Sequence, residues 1–208
     1  FFPAKNLGGF GDAGMLTTND DGLYAKAKML RSHGMEPKYH HHLVGGNFRI
    51  DALQSALLRV KLPHLTGYAA ARMENAAYYR EQLGGLPGAV SFAGEVDACQ
   101  LGQTLPAGAT VVLPYAYPHC THIWNQFTLR FPRGNRDAVK DQLLSKGIGC
   151  EIYYPIPLHQ QKCFEYLPAV ELPVTDTLAK EVLSIPVYPE LTRAQQDEVI
   201  ATVAEALT

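Results

Sequence analysis

Lys5 sits among Phe1, Phe2, Pro3, Ala4 and Leu7, with Gly8 and Gly9 close behind. Apolar and aromatic neighbours strip water from an ammonium and lower its pKa, the route by which a lysine becomes a nucleophile for a carbonyl carbon and then a base. Taken alone, the segment is weak evidence, since a lysine in such a place is ordinarily a solvated charge. Asn47 follows Gly45 and Gly46, and its amide suits either a phosphate oxygen or a turn that caps a helix beginning at Ile50. Arg49 is fit for a bidentate contact with a diphosphate or for a structural salt bridge. His40, His41 and His42 are consecutive, so regular backbone cannot aim all three at one ion. No cysteine or carboxylate lies near them at zinc-like spacing, and no metal site is expected. His159, after Tyr153-Tyr154-Pro155, reads as a substrate contact or as a packing histidine. Gly8, Gly9 and Gly11 do not form a dinucleotide fingerprint, because the apolar run follows them instead of preceding them.

The elements that would carry these residues are legible in part. Residues 1–10, with Pro3, Gly8 and Gly9, read as a loop, and Ala13 to Thr18 as a short buried strand. Asn19-Asp20-Asp21 supplies a cap and an acidic first turn for a helix with Leu23, Ala27 and Leu30 on one face, stopped by Gly34. Leu53, Leu57, Val60 and Leu65 predict a second helix, divided at Pro63, with a long continuation to Gly84-Gly85. Short strands are predicted within Ala89 to Phe92 and Thr110 to Leu113. A β-α-β pattern follows: a strand in Ile123 to Phe131, a helix capped by Asn135 with Val139, Leu143 and Leu144 inward and ended by Gly147, then a strand from Cys150 to Tyr154. Leu183 to Val187 is a further strand, and Thr192 with Gln195 forms a capping box opening a last helix with Val199, Ile200, Val203 and Leu207. The fold class is α/β, with an α+β C-terminal part and a boundary near Pro63.

Composition narrows the partners. The 208 residues are 47% hydrophobic and 18% charged, with 18 Lys plus Arg against 20 Asp plus Glu, a formal net charge of −2. That is the profile of an ordinary globular protein, without the basic footprint of a nucleic-acid binder. No apolar run approaches the roughly 20 residues of a membrane span. Cys99, Cys120, Cys150 and Cys163 are scattered without a C-x-x-C pair, which predicts free thiols in a reducing compartment. The opening Phe1-Phe2-Pro3 shows neither an initiator Met nor a leader, as expected of a partial sequence.

Phe1-Phe2-Pro3-Ala4-Lys5-Asn6-Leu7-Gly8, then Gly11-Asp12-Ala13-Gly14-Met15-Leu16-Thr17-Thr18-Asn19-Asp20 and Leu30-Arg31-Ser32-His33-Gly34, closely resemble the DegT/DnrJ/StrS family of pyridoxal-phosphate-dependent sugar aminotransferases. The likeness continues through Tyr39-His40-His41, Val44 to Asp51 and Leu53-Gln54-Ser55-Ala56. It resumes at His122 to Phe127, at Tyr153 to His159 and at Leu183 to Thr192, so it runs in order along the whole chain.

The resemblance implies the C-terminal half of a fold-type-I enzyme: residues 1–62 as a remnant of the large cofactor-binding domain, and residues 63–208 as the small domain. It implies that Lys5 holds pyridoxal 5'-phosphate covalently, is displaced by an amino donor such as glutamate, and then shuttles a proton. The amino group would pass to a keto sugar nucleotide, in cell-envelope polysaccharide or secondary-metabolite sugar biosynthesis. Asn47 matches an asparagine that reaches the cofactor phosphate from the neighbouring subunit. Arg49 would contact the substrate's diphosphate, His159 the sugar, and the three histidines an interface or substrate. The family's ring-stacking aromatic, pyridine-nitrogen carboxylate and phosphate donors precede its lysine, so this stretch by itself is expected to be inactive. A cytoplasmic homodimer associating through the segment before Pro63 is expected, with no nucleic-acid or membrane partner. The rivals are a sugar dehydratase, which carries His in place of Lys5, and a noncatalytic regulatory or binding member.

Overall fold

Phe127 and Leu129 are buried while the alternate residues Thr128 and Arg130 are half-buried, and this alternation makes the strand on which the larger of two units is built. The computed structural model describes residues 1–94 and 105–208, and it divides into Phe1–Thr66 and Gly67–Thr208. Cys99 lies outside the described residues; Cys120, Cys150 and Cys163 are free thiols. In chain order the elements are α1 (Asp21–Leu30), α2 (Ala52–Lys61), α3 (Leu65–Gly84), β1 (Ala89–Val90), β2 (Val111–Val112), β3 (Phe127–Arg130), α4 (Arg136–Ser145), α5 (Pro173–Glu181), β4 (Val182–Ile185) and α6 (Arg193–Ala206).

In the unit Gly67–Thr208 the sheet runs β1-β2-β3-β4, with β1 and β2 parallel and the other pairs antiparallel. Phe127 pairs with Ile185 and Leu129 with Leu183, so each apolar residue of β3 faces an apolar partner. Ala76, Tyr79 and Leu83 from α3, Val139 and Leu143 from α4, and Val199 and Val203 from α6 complete the core. Burying each large apolar side chain contributes about 1.5–3 kcal/mol. A polar seam crosses this unit. The buried Arg72 guanidinium donates to the carbonyls of Trp124, Asn125 and Val187. Asn75 Nδ2 donates to Tyr188 O at 2.8 Å, and Gln196 Nε2 to Asn75 O at 2.9 Å. The capping box forms as predicted, with Thr192 Oγ1 accepting from Gln195 N–H and Gln195 Oε1 from Thr192 N–H.

The unit Phe1–Thr66 is built differently, with Leu58 its one buried hydrophobic side chain. Asp20 caps α1 as expected, its Oδ1 accepting from Leu23 N–H at 2.9 Å, yet no residue of α1 is buried. Backbone bonds carry the loop beyond it: His33 N–H to Gly46 O, Gly46 N–H to Leu30 O and Phe48 N–H to Arg31 O. Gly34 has a φ of +69°, and a Cβ there would stand 1.8 Å from Leu43 O, so the crossing of the two strands of this loop admits glycine alone.

Several expectations need correction. Ala13 to Thr18 is not a strand: among the described residues no strand lies beside it, Ala13 O accepts from the Phe1 amino group, and Thr18 Oγ1 accepts from Asp20 N–H. Asn135 holds the N-cap position with helical dihedrals and no side-chain bond, because the 3-10 turn Pro132–Gly134 leads directly into α4. Leu144 is exposed. Cys150 to Tyr154 contributes one bridge, Glu151 to Ser184. The ladder stops there because Glu151 Oε1 takes the Ile152 N–H and Pro155 has none to give. On α2, predicted from Leu53, Leu57, Val60 and Leu65, Leu58 is buried and Gln54, Ser55, Leu57 and Lys61 are half-buried, while Leu53 and Val60 are 75% and 69% exposed.

Candidate active site

The segment Phe1–Phe10 closes on itself. Lys5 N–H donates to Phe2 O at 2.9 Å, and Gly9 N–H to Phe1 O at 2.8 Å. The turn leaves the Lys5 side chain exposed and buries Gly8 and Gly9. Gly8 has a φ of +62°, and a Cβ on it would lie 2.7 Å from Pro3 O and 3.0 Å from Lys61 Nζ. Helix α2 holds the rest. Lys61 Nζ donates to Gly8 O at 2.5 Å, and Gln54 Oε1 accepts from Phe10 N–H at 2.8 Å. Lys5 is thus an exposed amine on a turn whose backbone is bonded at several points.

Asn47 and Arg49 share the turn before α2. Asn47 Oδ1 accepts a long, 3.4 Å bond from Arg49 N–H, so the asparagine shapes its own turn. It does not cap the helix: α2 begins at Ala52 behind Asp51, which makes no side-chain cap bond. With Oδ1 turned to backbone, the exposed amide presents Nδ2, the half that suits a phosphate oxygen. Arg49 lines a cavity of about 330 Å³ with Asp12, Gly14 and Phe48. Among the described residues it makes no ion pair within 4 Å.

The histidine run makes local contacts. His41 Nδ1 lies 2.9 Å from His33 O and His42 Nε2 2.8 Å from Glu36 O, which ties two imidazoles to carbonyls of their own loop. Among the described residues no group of three or more His, Cys, Asp or Glu is placed to hold a metal ion.

His159 belongs to the other unit. Its Nε2 is 3.3 Å from Asp176 Oδ1 on α5, close enough to pair when protonated but without hydrogen-bond alignment, while Gln160 Nε2 donates to the same oxygen at 2.7 Å. An apolar cleft of about 560 Å³ lies beside it, lined by Tyr154, Ile156, Leu158, Leu178 and Val182 but not by His159. Within this unit the imidazole is tied to α5, the geometry that a packing role requires.

A family model describing the DegT/DnrJ/EryC1/StrS aminotransferase family matches residues 1–204. The chain belongs to that family. A UDP-N-acetyl-3-dehydro-α-D-glucosamine 3-aminotransferase of Acidithiobacillus ferrooxidans is 41% identical over 203 residues, 98% of this chain and 48% of that protein. A protein of Geobacillus stearothermophilus named a pleiotropic regulatory protein is 40% identical over 99% of this chain and 50% of its own length. Among solved structures, DesV of S. venezuelae, crystallised in complex with a ketimine intermediate, superposes with a TM-score of 0.82 at 35% identity, covering 100% of this chain and 50% of DesV. The chain therefore has a mixed helix-and-strand fold matching aminotransferase structures, and it spans about half the length of the curated relatives it matches.

Family likeness drew attention to Lys5, Asn47, Arg49 and His159, and missed what holds them. Gln54 stood in a recognised stretch, Leu53-Gln54-Ser55-Ala56, but its bond to Phe10 is not readable from residue type. Lys61 looked like any helix-surface lysine. Asp12 and Asp176 carried no signal beyond being acidic.

Proposed function

We propose that the full-length protein is a pyridoxal-phosphate-dependent aminotransferase that moves an amino group from glutamate or a similar donor to a keto sugar nucleotide. The name of the A. ferrooxidans relative favours carbon 3 as the keto position. The observation that carries the reading is Lys5: an exposed amine on a turn fixed by its own backbone bonds and by α2, in a chain matched to the family from residue 1. The residues present fit the cofactor. Lys5 offers a nucleophile and Asn47 a neutral amide donor, while Arg49 lines a cavity beside them on the side proposed for substrate.

Bound by this chain, pyridoxal phosphate would supply an aldehyde for covalent attachment and a ring that withdraws electrons from the substrate's α-carbon. Lys5 Nζ would hold the cofactor through its aldehyde carbon, the aldehyde oxygen leaving as water, and when freed by the donor's amine would take a proton at Nζ and return it. Asn47 Nδ2 donates to phosphate, on the family pattern from one subunit to the next. Arg49 pairs with the diphosphate of the sugar nucleotide. His159, whose Nε2 lies 3.3 Å from Asp176 Oδ1, would contact the sugar only by turning from the packing position it holds against α5.

Association follows from surface. Phe10, Met15, Val44, Phe48 and Leu53 are 75%, 77%, 99%, 74% and 75% exposed in the unit Phe1–Thr66. Apolar surface of this extent is satisfied by packing against the rest of the full-length chain and against a second copy, and a homodimer is proposed. Residues 1–62 are proposed as part of the large, cofactor-binding domain and 63–208 as the small domain. A cytoplasmic location belongs to the same proposal; no helix among the described residues is long and apolar enough to cross a membrane.

The name of the G. stearothermophilus relative favours a second reading, a noncatalytic regulator. The two readings part at Lys5, since regulation without chemistry has no need of a reactive amine. Adding glutamate to the cofactor-loaded full-length protein is expected to bleach the visible absorbance of the lysine-bound cofactor, and Lys5→Ala to show no such band. A glutamate-insensitive spectrum would overturn the aminotransferase reading.

A further inference from the structure

Gln54, Leu58 and Lys61 lie four and three residues apart, the spacing that stacks side chains along one face of a helix. Leu58 is buried, and the two polar residues flanking it both reach the lysine-bearing turn. Lys61 Nζ donates to Gly8 O, a charge-assisted bond to the carbonyl three residues beyond Lys5. Gln54 Oε1 accepts from Phe10 N–H, two residues further on. The fit around these bonds is tight. A Cβ on Gly9 would lie 3.1 Å from Gln54 Oε1, and one on Gly11 would lie 3.2 Å from Gln54 Nε2, so the glutamine amide packs along the backbone from Gly9 to Gly11.

We propose that Gln54 and Lys61 are positioning residues for Lys5: a two-point clamp from α2 that fixes the turn, and so the place from which the Lys5 amine attacks an aldehyde. The inference rests on the reading of Lys5 as the cofactor lysine and extends it to residues that never touch the cofactor. The physical reason is entropic. A lysine has a long flexible stem, so holding its backbone is the means a protein has of raising the fraction of time its amine spends in attacking geometry. The helix side chains do so without adding bulk, because the turn is built of glycines at the points where Gln54 and Lys61 approach.

The test uses the full-length protein and four variants. Gln54→Leu removes the acceptor and Gln54→Glu keeps one; Lys61→Met removes the donor and Lys61→Arg keeps one. Three readouts are followed: hydrogen exchange at the Phe10 amide without cofactor, the rate of attachment of pyridoxal phosphate to Lys5 trapped by borohydride and mapped by mass, and the thermal midpoint. Gln54→Leu is expected to speed Phe10 exchange, and Gln54→Leu and Lys61→Met to slow attachment, each by about tenfold, the equivalent of one lost hydrogen bond. Gln54→Glu and Lys61→Arg are expected to stay within about twofold of the parent, at unchanged thermal midpoints. Attachment rates equal in all five proteins, or losses that follow the thermal midpoint and not the donor or acceptor, would overturn the clamp. Absence of any adduct on Lys5 in the parent would instead overturn the cofactor reading beneath it, with Phe10 exchange still reporting whether the turn is held.

Discussion

The two units resist unfolding by different means. In Gly67–Thr208, Tyr79, Phe127, Leu129, Phe131, Leu143 and Leu183 are fully buried, and the sheet, α3, α4 and α6 share one core. In Phe1–Thr66 only Leu58 among hydrophobic side chains is buried, and order comes from hydrogen bonds among loops and from α2 to the lysine turn. The residues with a case for cofactor chemistry, Lys5 and Asn47, stand in the unit that buries little apolar surface within this stretch, which spans about half the length of its relatives. A scaffold held by directional bonds fixes positions but contributes little net stability per bond, whereas a core contributes stability without specifying any one polar atom.

Substitutions of large expected effect test that contrast first. Phe127→Ala opens a cavity between β3, α3 and the Trp124 ring and is expected to cost about 3–5 kcal/mol in denaturant unfolding. Lys26→Gln, at an exposed position of α1 in the other unit, is expected to change unfolding by less than about 0.5 kcal/mol. Equal costs would erase the distinction. Arg72→Met comes next, at about 2–4 kcal/mol, because it leaves the carbonyls of Trp124, Asn125 and Val187 without their shared donor. Burial pulls the Arg72 guanidinium below its ordinary pKa, with Glu190 opposing. A cost near zero would mean that the polar seam contributes nothing beyond the core around it. Thr192→Ala, which breaks the capping box of α6, is expected to cost about 1 kcal/mol by the same measurement.

The C-terminal unit was the more legible in sequence, and the reason is the same contrast. Its strands and helices bury apolar residues at the periods their backbones impose, as in Phe127–Arg130 and in Val199 with Val203, so the pattern carries the structure. The capping box at Thr192 was legible because it is made by two side chains at fixed separation. Cys150 to Tyr154 misled because the competing acceptor, the Glu151 carboxylate, is invisible to periodicity. In the N-terminal unit, the period of Leu53, Leu57 and Val60 named helix α2 but not its covered face: Leu57 is half-buried while Leu53 and Val60 are exposed, since a hydrophobic stripe does not say what covers it. Of the candidate site, the residue types of Lys5, Asn47, Arg49 and His159 were legible through family likeness. The bonds from Gln54 and Lys61 were not, because any polar residue at those positions satisfies a helix surface equally well.

The smallest effect concerns pH. His122 Nδ1 accepts from Trp124 N–H at 3.0 Å, which requires a neutral imidazole, and partial burial holds its pKa below the ordinary value near 6.5. As pH falls through that value the unfolded chain takes up a proton that folded His122 resists. Stability is therefore lost on acidification, until the pH passes below the lowered folded pKa. His122→Asn keeps an acceptor without titrating, and its thermal midpoint is expected to fall less steeply between pH 7.5 and about 5. Identical slopes would assign the acid sensitivity to other groups.

The account depends most on the amine at Lys5. Reduction of the full-length protein with borohydride in the presence of pyridoxal phosphate, followed by peptide mass mapping, is expected to place a single cofactor adduct on the peptide that carries Lys5. An adduct confined to some other lysine, or none, would contradict it.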